Sequence, residues 1–564
     1  MRRAGDCGSP VSGHPDGTVL AGCTGWPDET AEAYRASGYW RGESLTSLLR
    51  SWARAYGERT SLVHGERRIS YADLDALVDR SAAGFRAHGI TPGDRVVLQL
   101  PNVPEFVVVY FALLRAGAHP VFALAAHRAN EIRHLCRVSG AVGHVIPKRH
   151  LGFDFEAMAE QVQTDTPELR SVFVLTSDEE VADGFVPLSE VDADPVDLPE
   201  PDASDVAFFL LSGGTTAMPK LIPRTHDDYA YQIRASAQVC RLSEEDVCLA
   251  VLPIEFNFPW GCPGVLGTLD VGGTVVLAGE AVAEDCFALV EREGVTFTSL
   301  VPTLARLWVD EARWTRRDLS SLRLIQVGGA RLTPQLAARV QPALGCRLQQ
   351  VFGMAEGLLC FTRDTDDDDT VVTTQGSPMS PGDEIRVVDD ADQEVPVGRP
   401  GHLLVRGPYT LRGYFRAPEH NAHAFTDDGY YRTGDIVRHT AEGNLVVEGR
   451  AKDVIIRGGD KISAAEIEEL LLDHLDVVQA AVVGLPDELL GERTCAVLVA
   501  AADNRPDLPQ VKRALHARGV ADYKLPDRVA YVDALPLTPL GKVDKKALAA
   551  RVAVTASSGK GLCT

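Results

Sequence analysis

Short apolar runs alternate with helical patterns from about Tyr39 to about residue 350. The runs "RVVLQL" (95–100), "AFFLL" (207–211), "TVVLA" (274–278) and "LIQV" (324–327) read as strands, and "EFVVVYFALLRAG" (105–117) reads as a helix. Strands that alternate with helices predict an α/β fold of parallel sheets covered by helices. The pattern then changes. Residues 384–448 read as short strands and turns ("EIRVVDD", "HLLVRGP", "GNLVVEG"), which predicts a smaller β-rich subdomain. After "GRAKD" (449–453) the order becomes helix "AAEIEELLLDH", strand "VVQAAVVGLP", strand "RTCAVLVAA", helix "LPQVKRALHARG" and strand "DRVAYVD". That is a small α+β unit on one short connection, and units joined that way rotate against each other.

Residues 1–35 are rich in Gly, Pro, Ser, Thr and Asp with little periodicity, so a poorly ordered tail is expected there. The expected division is a tail over 1–35, a large domain over 36–449 with its β-rich subdomain from about 384, a small mobile domain over 450–552, and a second tail over 553–564. The sequence shows no internal repeat.

Composition narrows the class. The chain has 564 residues, 45% hydrophobic and 24% charged, which is a soluble globular composition. Its formal charge of −23 repels phosphate backbones, so neither nucleic acid nor a membrane surface is an expected partner. The longest apolar run, Phe106–Leu114, is about half of the roughly 20 residues a spanning helix needs. Two early arginines are followed by no apolar segment of the secretory type, and a cytoplasmic location is expected. Eleven cysteines are scattered without a Cys-x-x-Cys pair, which suits reduced thiols better than disulfides or a zinc site. The run Asp366–Asp369 reads as a solvated surface and not as a metal cluster.

The chemistry concentrates in "LLSGGTTAMPKLIPRTH" (210–226). A strand running into Ser212, Gly213, Gly214, Thr215 and Thr216 offers hydroxyls and open backbone N–H groups, and Lys220 adds a positive charge. Together these suit a polyphosphate. It is not a Walker A loop, because Lys220 follows Pro219 and precedes Leu221. Four further segments follow in order: "QVFGMAEG" (350–357), "YRTGDIVR" (431–438), "EGRAKDVIIRGGDKISAAEIE" (448–468) and "PLTPLGKVDKKAL" (536–548).

With these segments the chain resembles the adenylate-forming enzymes, and among them the aryl-acid AMP ligases of siderophore and nonribosomal peptide pathways. The resemblance runs from about Tyr39 to Arg551. It implies two steps: a carboxylate attacks the α-phosphate of ATP and releases pyrophosphate, and the acyl group then passes to a thiol. It implies ATP and Mg²⁺ as cofactors, with Glu356 holding the metal as a hard oxygen ligand. Asp435 would bind the ribose hydroxyls and Arg450 the same nucleotide; either could instead form a structural ion pair. Val351, Phe352, Gly353, Met354 and Ala355 would line the nucleotide, with Gly328, Gly329 and Ala330 passing from the acid pocket toward adenine. Lys542 would be the catalytic cation beside carboxylate and α-phosphate, on a loop that Gly541 keeps free of a side chain. Lys545 and Lys546 read as solvated. Lys452 falls at the family's hinge position, and Gly458 and Gly459 fit the loop that lines a pantetheine channel.

The acid pocket is implied by "LPIEFNFPWGCPGVLGTL" (252–269). Asn257 stands where amino-acid-activating relatives carry an aspartate, and a neutral amide leaves an ammonium unpaired at a cost of several kcal/mol. The substrate should lack an α-amino group. Phe258 would wall an aromatic ring, and Phe256, Cys262, Ala355 and Leu359 complete the pocket. Cys262 and Leu359 match salicylate-activating members more closely than the Ser and Val of dihydroxybenzoate ligases, so salicylate is the expected acid. 2,3-Dihydroxybenzoate, 3-hydroxyanthranilate and hydroxypicolinate are alternatives. Phe256 replaces a common histidine, Ala217 replaces a common glycine, and Trp260 with Gly261 differ from the usual small polar residues, which predicts a reshaped pocket entrance. No carrier segment follows the last motif, so loading of an aryl or peptidyl carrier protein is expected in trans. An aryl-CoA ligase and a noncatalytic nucleotide-binding relative are the competing functions.

Overall fold

A computed structural model describes residues 19–177, 179–212, 218–457, 460–474, 477–487, 490–500, 505–518, 520, 522–538 and 541–557. Three sheets of four or more strands build the large domain. A seven-stranded sheet runs in the order 221–225, 206–211, 119–122, 95–98, 143–147, 171–175 and 186–187, parallel except where 221–225 turns back on 206–211. A nine-stranded sheet centres on the parallel strands Thr274–Leu277, Val247–Ala250, Phe297–Leu300, Leu324–Gly328 and Arg347–Met354. The four predicted strands all lie in these two sheets. The predicted helix is Pro104–Arg115, with Pro104 in its first turn and every residue but Glu105 buried. A helix apolar on all sides belongs between layers, and this one belongs to the main hydrophobic core.

The β-rich subdomain is an antiparallel sheet of Glu384–Val388, Gly401–Arg406, Tyr431–His439 and Leu445–Arg450. The small C-terminal domain carries the five predicted elements, with Val477–Asp487 paired to Gly491–Ala500 and helices Ala464–His474 and Leu508–Ala517. The sequence reading missed its Val454–Arg457 and Asp460–Ser463 hairpin.

Two expectations are corrected. The N-terminal stretch is structured from residue 19 onward, with a helix over Asp28–Ala36. Trp26 meets Trp40 and Tyr34 edge-on at 5.0 and 5.6 Å, and the Arg416 N–H donates to the Gly22 carbonyl at 2.9 Å. A few aromatics anchor a segment whose average composition reads as tail. Residues 1–18 lie outside the described residues. At the other end, the last helix runs over Lys545–Ser557, past the expected boundary at 552. No helix among the described residues is long and apolar enough to cross a membrane, and every described cysteine is free.

Candidate active site

The residues named by the motifs collect at the carboxyl ends of the parallel strands, where open α/β sheets bind ligands. Val206–Leu211 leads to Ser212, Leu324–Gly328 ends on Gly328, and Arg347–Met354 leads to Ala355 and Glu356. Ser212 and Lys220 face each other across the base of the phosphate loop, with Ser212 N–H to Lys220 carbonyl at 2.9 Å and Lys220 N–H to Ser212 Oγ at 3.0 Å. Gly213, Gly214, Thr215, Thr216 and Ala217 lie outside the described residues.

Glu356 is buried, and its Oε1 accepts the Tyr414 hydroxyl at 2.7 Å. Tyr431 lies 2.8 Å from that same hydroxyl, so it donates to it. The Lys220 ammonium sits 5.2 Å from the Tyr414 ring centroid, which brings the cation of the phosphate loop to the carboxylate of the 350–357 motif. Neither tyrosine was singled out from the sequence; Tyr431 lies inside a quoted motif, and Tyr414 had no signal there.

Asp435 and Arg450 are register partners on adjacent strands, and the guanidinium Nε meets Asp435 Oδ1 at 2.7 Å. The ion pair left open by the sequence is present. Asp435 Oδ2 is buried and has no hydrogen-bond partner among the described residues. A buried carboxylate oxygen without a donor is costly, and a ribose hydroxyl is a donor of the right kind. Burial raises the Asp435 pKa, the Arg450 and Lys542 cations oppose the rise, and Glu356 adds to it. Charges from two domains therefore act on Asp435.

Lys542 acts on Asp435 from a tight turn. The Thr538 N–H donates to the Lys542 carbonyl at 2.7 Å, and the Gly541 N–H donates to the Thr538 carbonyl at 2.8 Å. Gly541 has φ +71°, so a glycine is favoured there by backbone conformation, and its position lies against Val301 and Thr303 of the large domain. Ion pairing of Arg331 with Glu469 at 3.0 Å and a bond from Ser463 Oγ to the Glu448 carbonyl at 3.1 Å help seat the small domain. Lys545 departs from the expectation of a solvated side chain: it pairs with Glu468 at 2.7 Å. Gly458, Gly459 and the Lys452 side chain lie outside the described residues.

The residues expected to line the acid pocket pack closely against one another. Phe258 and Gly328 face each other so closely that a Cβ on Gly328 would lie 3.1 Å from the Phe258 ring. Asn257, Cys262 and Leu359 are buried, whereas Phe256 and Ala355 are partly exposed. The Cys262 thiol donates to the Asn257 carbonyl at 3.2 Å. Burial pushes that thiol far above its usual pKa, so it is a neutral wall. Trp260 corrects the expectation about the entrance. It is fully buried in the core, 4.9 Å from Tyr110 and 5.3 Å from Phe106. Asp366–Asp369 behave as expected of surface acids, Asp367 capping a short helix at Thr370 N–H. No group of three or more His, Cys, Asp or Glu side chains suited to a metal occurs among the described residues.

The chain matches the AMP-binding enzyme family over residues 49–415 and the AMP-binding enzyme C-terminal domain over residues 466–542. It is 52% identical over 530 residues to the 2,3-dihydroxybenzoate-AMP ligase of Bacillus subtilis, covering 94% of this chain and 97% of that protein. It is 49% identical to a salicylyl-CoA synthase / salicylate adenylyltransferase of Streptomyces, covering 93% and 96%. It is 48% identical to the salicyl-AMP ligase / salicyl-S-ArCP synthetase of Mycobacterium tuberculosis, covering 96% of each chain. Among solved structures, the apo structure of Mycobacterium smegmatis MbtA matches with a TM-score of 0.73 at 48% identity, covering 94% of this chain and 99% of that one. The large α/β domain with its small C-terminal domain, and these matches along nearly the whole chain, lead to one conclusion: the protein belongs to the AMP-binding enzyme family of the adenylate-forming superfamily, whose members use ATP.

Proposed function

We propose that the protein is an aryl-acid AMP ligase of a siderophore or related nonribosomal peptide pathway, that its preferred acid is salicylate, and that it passes the acyl group to the phosphopantetheine thiol of an aryl carrier protein. The observation that carries the choice of acid is the set Asn257, Phe258, Cys262 and Leu359, of which Asn257, Cys262 and Leu359 are buried. The set offers an aromatic ring and an aliphatic side chain with a neutral amide, and none of the four is a carboxylate that could pair with an ammonium. The thiol of Cys262 already donates within the protein, and Leu359 is one methylene larger than valine. Both features disfavour a second hydroxyl at the ring 3-position. A methylene of pocket shape is worth roughly 1–3 kcal/mol of discrimination.

In this reading the acid's carboxylate oxygen attacks the α-phosphorus, and the bond to the departing pyrophosphate breaks. Lys542 stabilises the charge as it moves, Asp435 Oδ2 accepts a ribose hydroxyl, and Lys220 faces the phosphates. Glu356 and the ATP phosphates would hold a magnesium ion, which neutralises phosphate charge when bound. A single carboxylate with hydroxyl neighbours suits that ion, because Mg²⁺ keeps its waters and binds with substrate phosphates and not in an all-protein cage. The thiol then attacks the acyl carbon and AMP leaves. Under the same proposal the large unit that ends at 449 and the small unit from 450 through the last helix act as separate bodies, with Lys452 at the hinge and Gly458 and Gly459 along the thiol channel.

Acid-dependent ATP–pyrophosphate exchange over benzoic, salicylic, 2,3-dihydroxybenzoic, anthranilic and picolinic acids tests the reading. Salicylate is expected to lead; exchange with none of the hydroxylated acids would overturn it. A CoA ligase is the second reading, and the Streptomyces relative with that activity favours it. Acylation of CoA at low concentration with no acylation of purified carrier would establish it instead.

A further inference from the structure

We propose that Tyr229 and Gln232 are positioning residues that lock the Asn257 side-chain amide with Nδ2 toward the bound acid, so that the pocket selects an ortho substituent that accepts a hydrogen bond. The inference deepens the aryl-acid reading and rests on it.

The helix His226–Val239 brings both residues to the pocket, and Tyr229 and Gln232 are three positions apart on one face of it. The strand Leu221–Thr225 enters this helix through a capping box between Thr225 and Asp228. Arg224, the residue before that cap, is fully buried. Its Nε donates to Asp228 Oδ1 at 2.9 Å, its Nη1 to the Ala355 carbonyl at 3.1 Å, and its Nη2 to Gln232 Oε1 at 3.0 Å.

A guanidinium only donates and a backbone carbonyl only accepts, and these two facts fix the chain of amides. Arg224 requires the oxygen of Gln232 on its side. Gln232 Nε2 then points the other way, to the Gly261 carbonyl at 2.9 Å and to Asn257 Oδ1 at 3.0 Å. The Tyr229 hydroxyl donates to the same Oδ1 at 2.9 Å. Burial raises the Tyr229 pKa far above its usual value, so that proton stays in place. Gly261 leaves room for the hydroxyl, since a Cβ there would lie 2.5 Å from it. With Oδ1 taken by two donors, Nδ2 is turned away from the network.

A phenol ortho to a carboxylate turns its hydrogen to that carboxylate and leaves its oxygen as an acceptor. An aromatic amine in the same place offers donors and a poor acceptor. The locked amide therefore favours ortho-hydroxy over ortho-amino acids.

The test measures kcat and KM for salicylate, benzoate, anthranilate and ATP in the wild type, Tyr229→Phe and Gln232→Glu. Tyr229→Phe is expected to raise KM for salicylate about fivefold to tenfold, as the loss of one buried bond suggests, with KM for ATP and benzoate unchanged. Gln232→Glu keeps a partner for Arg224 but presents only acceptors to Asn257, which reverses the amide. It is expected to raise the anthranilate-to-salicylate ratio of kcat/KM about tenfold. Equal losses on salicylate and benzoate in Tyr229→Phe, or an unchanged ratio in Gln232→Glu, would overturn the inference while leaving the aryl-acid reading standing. A wild type inactive on every ortho-hydroxy acid would overturn the reading and the inference together.

Discussion

The two sides of the site are built differently. On the acid side, Asn257, Tyr229, Gln232, Arg224 and Asp228 are all buried and bonded to one another through side chains. On the other side, Lys542 sits on a turn closed by backbone bonds, and the contacts that seat its domain include partly exposed pairs such as Arg331 with Glu469. Exposed pairs contribute little, about 0–1 kcal/mol each. Under the proposed function, the contrast teaches that selection is stored in the rigid lobe, whereas the charge that drives the chemistry is carried by a lobe that can be withdrawn at small cost.

The largest expected effect breaks the movable side. Lys542→Ala should slow pyrophosphate exchange about 10²-fold to 10³-fold, as removing a preorganised transition-state charge does. Thioester formation from preformed acyl-adenylate should survive, and single-turnover assays of the two half-reactions read this directly. Equal loss in both would mean that Lys542 is not withdrawn between steps. Next, Asp435→Ala should raise KM for ATP roughly tenfold or more, because hydrogen bonds to charged groups contribute about 1.5–3 kcal/mol, while KM for the acid stays within about twofold. A matching shift in the acid would show that the two sides are coupled and not separate.

A change confined to the rigid side comes third. Cys262→Ser with Leu359→Val should raise the relative kcat/KM on 2,3-dihydroxybenzoate by about tenfold, within the roughly 1–3 kcal/mol such pocket changes carry. An unchanged ratio would remove these side chains from the ring 3-position.

The smallest effect concerns Glu255, which precedes the pocket. Its Oε1 accepts the Ala125 N–H at 3.1 Å, and its Oε2 is buried without a hydrogen-bond partner among the described residues. Burial raises its pKa from 4.5 to about 7, so the folded protein holds a proton that the unfolded chain loses first. The stability from this group is present below about pH 4.5 and is lost as pH rises through about 7. Glu255→Gln should therefore stabilise the protein more at pH 8 than at pH 5, by an amount on the order of 1–3 kcal/mol. A Tm difference between variant and wild type that does not change with pH would contradict it.

Much of this was legible from the chain. The strands at 207–211 and 324–327 and the helix at 464–474 stood out because periodicity and burial agree there. The candidate residues Glu356, Asp435 and Lys542 stood out only through the motifs around them; the structure puts Glu356 just past a strand end, Asp435 inside the strand Tyr431–His439 and Lys542 on a tight turn. The positioning network was not legible, because its logic is tertiary. Tyr229 and Gln232 read as ordinary members of a helix until Arg224 and the Gly261 carbonyl fix which end of each amide faces which partner. Trp260 was misread for the same reason: sequence places it in the pocket segment, but its size is accommodated only in the aromatic core beside Tyr110. The sequence signal available was the run of polar residues Asp228, Gln232 and Ser236, spaced by four within a buried helix.

The most direct measurement is a crystal structure with a non-hydrolysable salicyl-adenylate analogue. The expected result places the ring against Phe258, its ortho oxygen within hydrogen-bond distance of Asn257 Nδ2, and a ribose hydroxyl on Asp435 Oδ2. An analogue bound with its ring away from Phe258 and Asn257, or with Asn257 Oδ1 turned to the ligand, would contradict the division of the site into a fixed selecting side and a withdrawable catalytic one.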